Sequence, residues 1–155
     1  MDKCRGRANP IVRAEASIVI DRPVENVFDF VAVNFFDNYP RWSPEVIDLR
    51  ATTPPPVRAG TAARQVRVDQ GRRSESTFQV SAFETGNRIA FQGTSSPFLI
   101  VYRFDPLGDK TRLTFTFELS RLEFFMRPFE KLIHVAVQDG AERVVHNIRG
   151  LIEVD

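Results

Sequence analysis

The feature of this sequence that most constrains its fold is a change of hydrophobic period near the C-terminus. Up to about residue 119, apolar and polar residues alternate in short segments, which predicts β-strands. From about Pro128 onward, apolar residues recur every three or four positions, which predicts one long amphipathic helix. Seven such strands, separated by about 4.8 Å, would form a sheet about 29 Å wide, whereas one helix covers only about 10 Å. The sheet is therefore expected to curl around the helix and to leave a space between them.

The first strand and the segment after it carry the clearest local signals. Alternation from Val12 to Ile20 predicts a half-buried strand. Pro23 suits the first position of a short helix because its φ angle is fixed. A second short helix is predicted from Asn34 to Tyr39, followed by an irregular corner over Trp42, because prolines stand at both ends of that corner. Further strands are predicted at Glu45–Ala51, Thr61–Asp69, Arg73–Ala82 and Arg88–Gln92, and two more near Phe98 and after Lys110.

Length and charge limit the classes of function. The 155 residues fit one domain, with residues 1–10 as a flexible leader and residues 11–155 as the folded domain. The 21 basic and 20 acidic residues nearly cancel, so no broad field is expected to hold the protein on nucleic acid. No apolar run reaches the roughly 20 residues of a membrane span. The lone Cys4 cannot form an internal disulfide, and the sequence predicts a cytoplasmic protein of unknown oligomeric state.

The order of elements, together with several junctions, resembles a known family. The junctions are Ile20–Phe28 (IDRPVENVF), Tyr39–Pro44 (YPRWSP), Tyr102–Pro106 (YRFDP) and Thr111–Phe115 (TRLTF). From about Val12 to Val154 the chain resembles the α+β helix-grip fold of the START and birch-pollen-allergen superfamily, often called SRPBCC, and most of all its bacterial polyketide cyclase/dehydrase branch. The resemblance implies a curved seven-stranded antiparallel sheet around a long C-terminal helix, with two short helices after the first strand.

The inward faces of the predicted sheet and helix supply candidate ligand-binding residues. On the strands these are Val66, Val68, Phe78, Val80, Phe91, Ile100, Tyr102, Phe115 and Phe117. On the helix, a stripe of Phe129, Leu132, Ile133, Ala136, Gly140, Val144 and Leu151 is expected to face the sheet, with Ile133, Gly140 and Val144 at the ligand. Glycine in mid-helix costs about 1 kcal/mol relative to alanine, so either close packing or open space should explain Gly140.

Three polar residues are candidates for orienting a ligand or for catalysis, namely Tyr102, Asn147 and Arg143. Asn147 falls at the centre of the predicted helix stripe, where a buried amide needs a partner such as Tyr102, a trapped water or a ligand. Arg143 lies nearer the stripe's edge, where it either pairs with a ligand or extends into solvent. His134 and His146 would be about 18 Å apart along one helix and cannot share a metal. No metal site, cofactor motif or nucleophile elbow is predicted.

Three functions remain open at this stage. The leading hypothesis is a carrier or sensor that binds an apolar, ring-containing small molecule between sheet and helix. The alternative implied by the family resemblance is a polyketide cyclase or dehydratase, with Tyr102 as proton donor and Asn147 or Arg143 steadying an enolate oxygen. A third possibility is a protein-interaction module whose interior is filled by phenylalanine rings.

Overall fold

The computed structural model describes residues 10–154, and they form one seven-stranded antiparallel sheet with helices on its concave side. The predicted leader, apart from Pro10, lies outside the described residues. The strands are β1 (Val12–Ile20), β2 (Val46–Ala51), β3 (Ala62–Asp69), β4 (Arg72–Glu84), β5 (Arg88–Gly93), β6 (Phe98–Leu107) and β7 (Lys110–Leu119). Their order across the sheet is β1-β7-β6-β5-β4-β3-β2. The first and last strands pair along the full length of β1, from Val12 opposite Leu119 to Ile20 opposite Thr111.

The helices come in two groups. Between β1 and β2 lie α1 (Val24–Phe28), a π-helical turn (Asp29–Val33) and α2 (Phe35–Trp42). After β7 come a 3-10 turn (Phe124–Phe129) and α3 (Glu130–Glu153). The predicted helix-grip architecture is therefore confirmed, including the break at Pro128 that separates a short turn from the long helix. No described helix is long and apolar enough to cross a bilayer.

Helix α2 differs from its prediction at Pro40. The helix was expected to end before this proline, but it continues to Trp42. Proline removes one backbone donor from a helix. The turn nonetheless closes, because the Ser43 backbone N–H donates to the Tyr39 carbonyl at 3.0 Å and both Tyr39 and Trp42 are buried in the core. Tertiary packing thus overrides the local helix-breaking signal.

The face of α3 that packs on the sheet also differs from the predicted stripe. The buried residues are Ala141, Val145, Ile148 and Ile152, which lie one position beyond Gly140, Val144, Asn147 and Leu151. One residue rotates a helix face by 100°. The predicted stripe was centred on the wrong angle because α3 rests mainly on the edge strand β1 instead of the sheet's middle. This rotation turns Gly140 and Val144 towards the interior space.

Candidate ligand-binding cavity

A cavity of about 760 Å³ lies between the sheet and the N-terminal half of α3. Its volume falls within the range of about 300–1,000 Å³ that is usual for small-molecule sites. It opens towards solvent between the β3–β4 turn and α3, where its lining includes the exposed residues Gln70, Leu132 and Val135. The predicted space between sheet and helix is therefore present, and the filled-core alternative does not fit this interior.

One wall of the cavity is apolar. Strands β6 and β7 contribute Phe98, Ile100, Phe115 and Phe117, and α3 contributes Leu132, Val135, Ala136, Val137 and Val144. The rings of Phe98 and Phe117 stack with a centroid distance of 6.4 Å and an interplanar angle of 14°. Successive side chains of a strand point to opposite faces, so Phe98 and Ile100 on β6 and Phe115 and Phe117 on β7 share the inward face and present a continuous apolar surface to the cavity. Such a wall can bury a flat or chain-like apolar ligand.

The opposite wall is polar and is organised by Arg67 on β3. Its Nε and Nη2 atoms donate to the two carboxylate oxygens of Asp69 at 3.1 and 2.9 Å, and its Nη1 donates to the Tyr39 hydroxyl at 3.1 Å. The Tyr39 hydroxyl donates in turn to Gln65 Oε1 at 2.9 Å, and Gln65 Nε2 donates to Ser76 Oγ at 3.2 Å. This connected chain fixes the polar groups in place, because each member holds the next.

The charge states of this wall follow from burial and pairing. Burial raises the pKa of Tyr39, and the nearby Arg67 charge offsets only part of that effect. Burial alone would lower the pKa of Arg67, but its hydrogen bonds and charge contacts with Asp69 and Tyr39 outweigh burial, so the pKa is raised. Arg67 is therefore a permanent cation that is already paired, and Tyr39 is a neutral phenol. The wall offers oriented hydrogen bonds without a large unbalanced charge.

Tyr102 lies where the two walls meet. Its side chain is only 2 % exposed, and its hydroxyl oxygen accepts a hydrogen bond from Trp42 Nε1 at 3.3 Å. Within residues 10–154, no protein atom accepts the hydrogen of this hydroxyl. Burial raises the pKa of Tyr102 far above its ordinary value. The group is thus a neutral phenol with an unused donor at the cavity surface, and it is a very weak acid.

Seven of the predicted ligand-binding residues line the cavity and six do not. Those that line it are Ile100, Tyr102, Phe115, Phe117, Gly140, Val144 and Asn147, together with the candidate Arg143. Phe78, Val80 and Phe91 are instead buried in the core, where Phe91 lies 4.4 Å from Phe35 between ring centroids. Ile133 is half-buried outside the cavity lining. The sequence patterns could not show that α2 would fill this part of the sheet's concave face.

On strand β3, the side chains that face the cavity are the alternate set to those predicted. Val66 and Val68 were expected to face the cavity, but Gln65 and Arg67 line it instead. The prediction assumed that the inward face of every strand is apolar. In this strand the inward side chains are polar because Tyr39 from α2 provides their hydrogen-bond partner. Tyr39 and Trp42, which also line the cavity, are buried parts of its wall.

Three residues of α3 that the sequence analysis singled out lie at the edge of the cavity, namely Gly140, Arg143 and Asn147. A Cβ added to Gly140 would meet only Arg143 Nη2 at 3.8 Å, so open space explains this glycine. Asn147 is exposed, not buried, and its Nδ2 donates to the Trp42 backbone carbonyl at 3.0 Å. Its partner is therefore none of the three that were expected. Arg143 is exposed at the cavity edge, in line with a solvated arm.

The residues that the sequence analysis missed are Gln65, Arg67 and the serines around them. Alternation along β3 shows that Gln65 and Arg67 share one face and that Val66 and Val68 share the other. It does not show which face is inward. The available signal was the spacing of Gln65, Arg67 and Asp69 at every second position, which is a polar stripe as regular as the apolar one.

A second, smaller depression of about 380 Å³ lies between β1 and α3 and is lined mainly by polar residues such as Ser17, Glu142 and His146. It lacks the apolar wall that an organic ligand would need. Within the described residues, no cluster of three or more His, Cys, Asp or Glu side chains is arranged to hold a metal ion. The larger cavity is therefore the candidate site.

Comparison with known proteins places this cavity in a family context. Residues 12–153 match the family model described as polyketide cyclase / dehydrase and lipid transport. No curated protein matches the chain by sequence. Among solved structures, a Thermus thermophilus protein is similar with a TM-score of 0.76 and 20 % identity, covering 92 % of this chain and 97 % of its own.

Two further structures share the fold. The Zhui aromatase/cyclase from a Streptomyces species has a TM-score of 0.75 and 14 % identity over 91 % of this chain and 93 % of its own. A START superfamily protein from Mycobacterium smegmatis has a TM-score of 0.66 and 17 % identity over 90 % and 98 %. At these identities the similarity shows the fold alone. Because the family model spans nearly the whole described chain, this protein belongs to the polyketide cyclase / dehydrase and lipid transport family.

Proposed function

We propose that this protein is a carrier or sensor that binds an apolar, ring-containing small molecule bearing at least one oxygen acceptor. The ring system lies against the Phe98, Phe115 and Phe117 wall. Its oxygen accepts a hydrogen bond from Tyr102 and faces the Arg67 side of the cavity. The proposal rests on the cavity's two unlike walls, which fit a molecule with an apolar body and a polar end.

The unused Tyr102 donor is the observation that carries the proposal. Buried polar groups in folded proteins are nearly always hydrogen-bonded, because an unpaired buried donor costs about 1–3 kcal/mol. Each side chain of the Arg67–Tyr39–Gln65 chain of hydrogen bonds has a partner in the protein, and the Tyr39 hydroxyl both donates and accepts. Tyr102 has one only for its oxygen. A ligand carbonyl, ether or hydroxyl oxygen in the cavity completes the pair.

The apolar wall supplies the affinity. Burial of about 300 Å² of apolar ligand surface at about 25 cal/mol per Å² contributes about 7 kcal/mol before the cost of association. The hydrogen bond to Tyr102 adds about 1 kcal/mol, which is a factor of about five to ten in the dissociation constant. Hydrophobic contact therefore determines how tightly a ligand binds, and Tyr102 determines which way round it lies.

Cyclase or dehydratase activity is the second candidate, and the Arg67–Tyr39 pair is the observation that favours it. A fixed cation and phenol beside an apolar wall can fold a flexible substrate and stabilise an enolate oxygen. Against it, the raised pKa of Tyr102 makes this group a poor proton donor near neutral pH. Asn147 already donates to the Trp42 carbonyl. Binding without turnover is therefore the function that the geometry supports best.

A matched pair of ligands tests the proposal. Acetylnaphthalene and ethylnaphthalene have nearly the same size, but only the first has a carbonyl oxygen. Titration calorimetry should show both binding to the native protein, with the ketone bound more tightly by about five- to tenfold. The variant Tyr102→Phe should lose this preference and keep the affinity for ethylnaphthalene. Mass spectrometry of organic extracts from the purified protein should in parallel detect a stoichiometric oxygen-bearing aromatic molecule.

Two results would sink the proposal. If neither naphthalene binds and no small molecule is extracted, the cavity is not a ligand site. If the ketone preference survives in Tyr102→Phe, this hydroxyl does not orient the ligand. Turnover of an aromatic-polyketide precursor by the native protein, lost in Tyr102→Phe while binding persists, would instead establish the enzyme.

A further inference from the structure

A group of large apolar side chains stands exposed beside the mouth of the cavity. It consists of Phe124, Phe125 and Phe129 on the 3-10 turn and Leu132 and Val135 on the first turns of α3, and is called here the apolar rim. Their exposed fractions are 86, 63, 51, 68 and 60 %. Ten large apolar residues in the described chain are exposed to a comparable degree, and half of them lie within these twelve positions. This concentration indicates an interaction surface, because scattered exposed apolar residues are ordinary but a contiguous group is not.

The rim is continuous with the cavity. Leu132 and Val135 are exposed at the surface and also line the cavity interior. Phe129 stands three positions before Leu132, about one helical turn away, and Phe124 and Phe125 lie in the 3-10 turn that leads into α3. Whatever covers the rim therefore also covers the cavity's exit.

Basic residues are interleaved with the rim. Arg121, Arg127 and Lys131 are all exposed, and within residues 10–154 none of them forms an ion pair. Of the two acidic residues in the same stretch, Glu130 lies 3.9 Å from His134 Nε2. Segments that lie in the interface of a lipid bilayer have this composition, in which phenylalanine and leucine are combined with arginine and lysine. The stretch from Arg121 to Val135 thus carries three basic and two acidic side chains, and what distinguishes it within the described part of the chain is that the three basic side chains are unpaired beside exposed apolar ones.

We propose that the apolar rim docks on a phospholipid surface, with its rings inserted at the headgroup boundary and Arg121, Arg127 and Lys131 against anionic headgroups. In this orientation the cavity mouth faces the bilayer, so a ligand passes between membrane and cavity without crossing water. The docking itself does not depend on the identity of the ligand. A second copy of this chain is a poorer occupant, because a two-fold symmetric contact brings together two surfaces that carry the same unpaired cations, and like charges at an interface disfavour association.

Vesicle flotation with ligand-free protein tests the docking. Vesicles of phosphatidylcholine alone are compared with vesicles in which about one-third of the lipid is phosphatidylserine, which adds a negative surface potential. The native protein should float with the anionic vesicles and release them at high salt. The double variant Phe124→Ser with Phe125→Ser should weaken binding at least about tenfold, because binding scales with the apolar area inserted. Both side chains are exposed, so the fold is expected to be unaffected.

Matched variants test whether vesicle binding depends on the apolar rim or on any exposed apolar side chain. Ile47→Ser removes an equally exposed apolar side chain on β2, with 60 % exposure, and should leave flotation unchanged. Arg127→Gln with Lys131→Gln should reduce binding several-fold and flatten its salt dependence. A tryptophan introduced by Phe124→Trp should shift its emission to the blue and be quenched by brominated lipid.

Three outcomes would overturn the docking. The first is that the native protein floats with neither vesicle, and the second is that the Phe124/Phe125 variant floats as well as the native protein. The third is a concentration-dependent dimer that the double variant abolishes without any vesicle binding, which assigns the rim to a second copy. Naphthalene binding is measured without membranes, so the ligand proposal and the docking proposal fail independently.

Discussion

The two ends of the sheet use the same kinds of side chain for opposite purposes. At the closed end, near Ile20 and Phe104, the concave face is covered by α1, α2 and the last turns of α3. Its rings are in close contact, with Phe28 and Phe104 centroids 5.1 Å apart and edge to face. At the open end, near Phe98 and Phe117, only the first half of α3 lies opposite, and these rings face a cavity.

The difference shows that ring content does not determine whether this interior is filled. What determines it is how many elements cover each part of the sheet. One helix is too narrow for a seven-stranded sheet, and the short helices after β1 close only the end that they reach. The hydrogen-bonded chain of Arg67, Tyr39 and Gln65 lies at the boundary, where the Tyr39 ring of α2 meets the open space.

Alanine substitutions at the two ends provide the largest contrast. Phe35→Ala, at 3 % exposure and 4.4 Å from the Phe91 ring, should lower the free energy of unfolding by about 3–5 kcal/mol through cavity formation. Phe117→Ala should cost only about 1 kcal/mol, because its ring is half-exposed to existing space. Urea unfolding followed by circular dichroism measures both. Equal costs would mean that the open end is collapsed in solution and that the contrast is wrong.

The free energy of unfolding should fall at high pH because of two tyrosines at the boundary between the two ends. The protein has two tyrosines, Tyr39 and Tyr102, and burial raises the pKa of each above the value of about 10 in the unfolded protein. Their contribution to stability is therefore complete below about pH 10 and is lost as the pH rises towards their folded-state pKa. Each tyrosine should lower the unfolding free energy by about 1.4 kcal/mol per pH unit in this range.

Absorbance at the phenolate wavelength tests this expectation during alkaline unfolding. Phenolate should appear together with loss of the circular dichroism signal, and Tyr102→Phe should reduce the alkaline slope by one proton. If both phenols lose their protons near pH 10 while the protein stays folded, the two tyrosines are not buried and the expectation is wrong.

Filling the open end should have the smallest effect on stability and a clear effect on binding. Gly140→Leu points a side chain into open space, so it should abolish naphthalene binding while raising the free energy of unfolding by up to about 1 kcal/mol. Gly150→Leu is the matched control, since Gly150 is also helical with nothing within 4 Å but lies outside the cavity lining. It should give a similar gain in stability and bind as before. Binding that persists in Gly140→Leu would place the ligand elsewhere.

Much of the fold could be predicted because its signals are local. Alternation gave β1 its observed limits of Val12 and Ile20, and Pro128 separated the 3-10 turn from α3. The width of seven strands against one helix indicated a cavity. Four residues were placed correctly on its wall because β6 and β7 are long strands whose inward positions fall at every second residue, namely Ile100, Tyr102, Phe115 and Phe117.

The sequence by itself therefore determined the order of elements, the curved sheet and the presence of an interior space, because hydrophobic period and element width are properties of single segments. The tertiary structure alone decided three things: the rotation of α3 that packs Ala141, Val145 and Ile148 on the sheet, the inward face of β3, and the burial of Tyr39 against Arg67. Each depends on a contact between elements far apart in the chain. A period shows which residues share a face, but only the neighbouring element determines which face is inside.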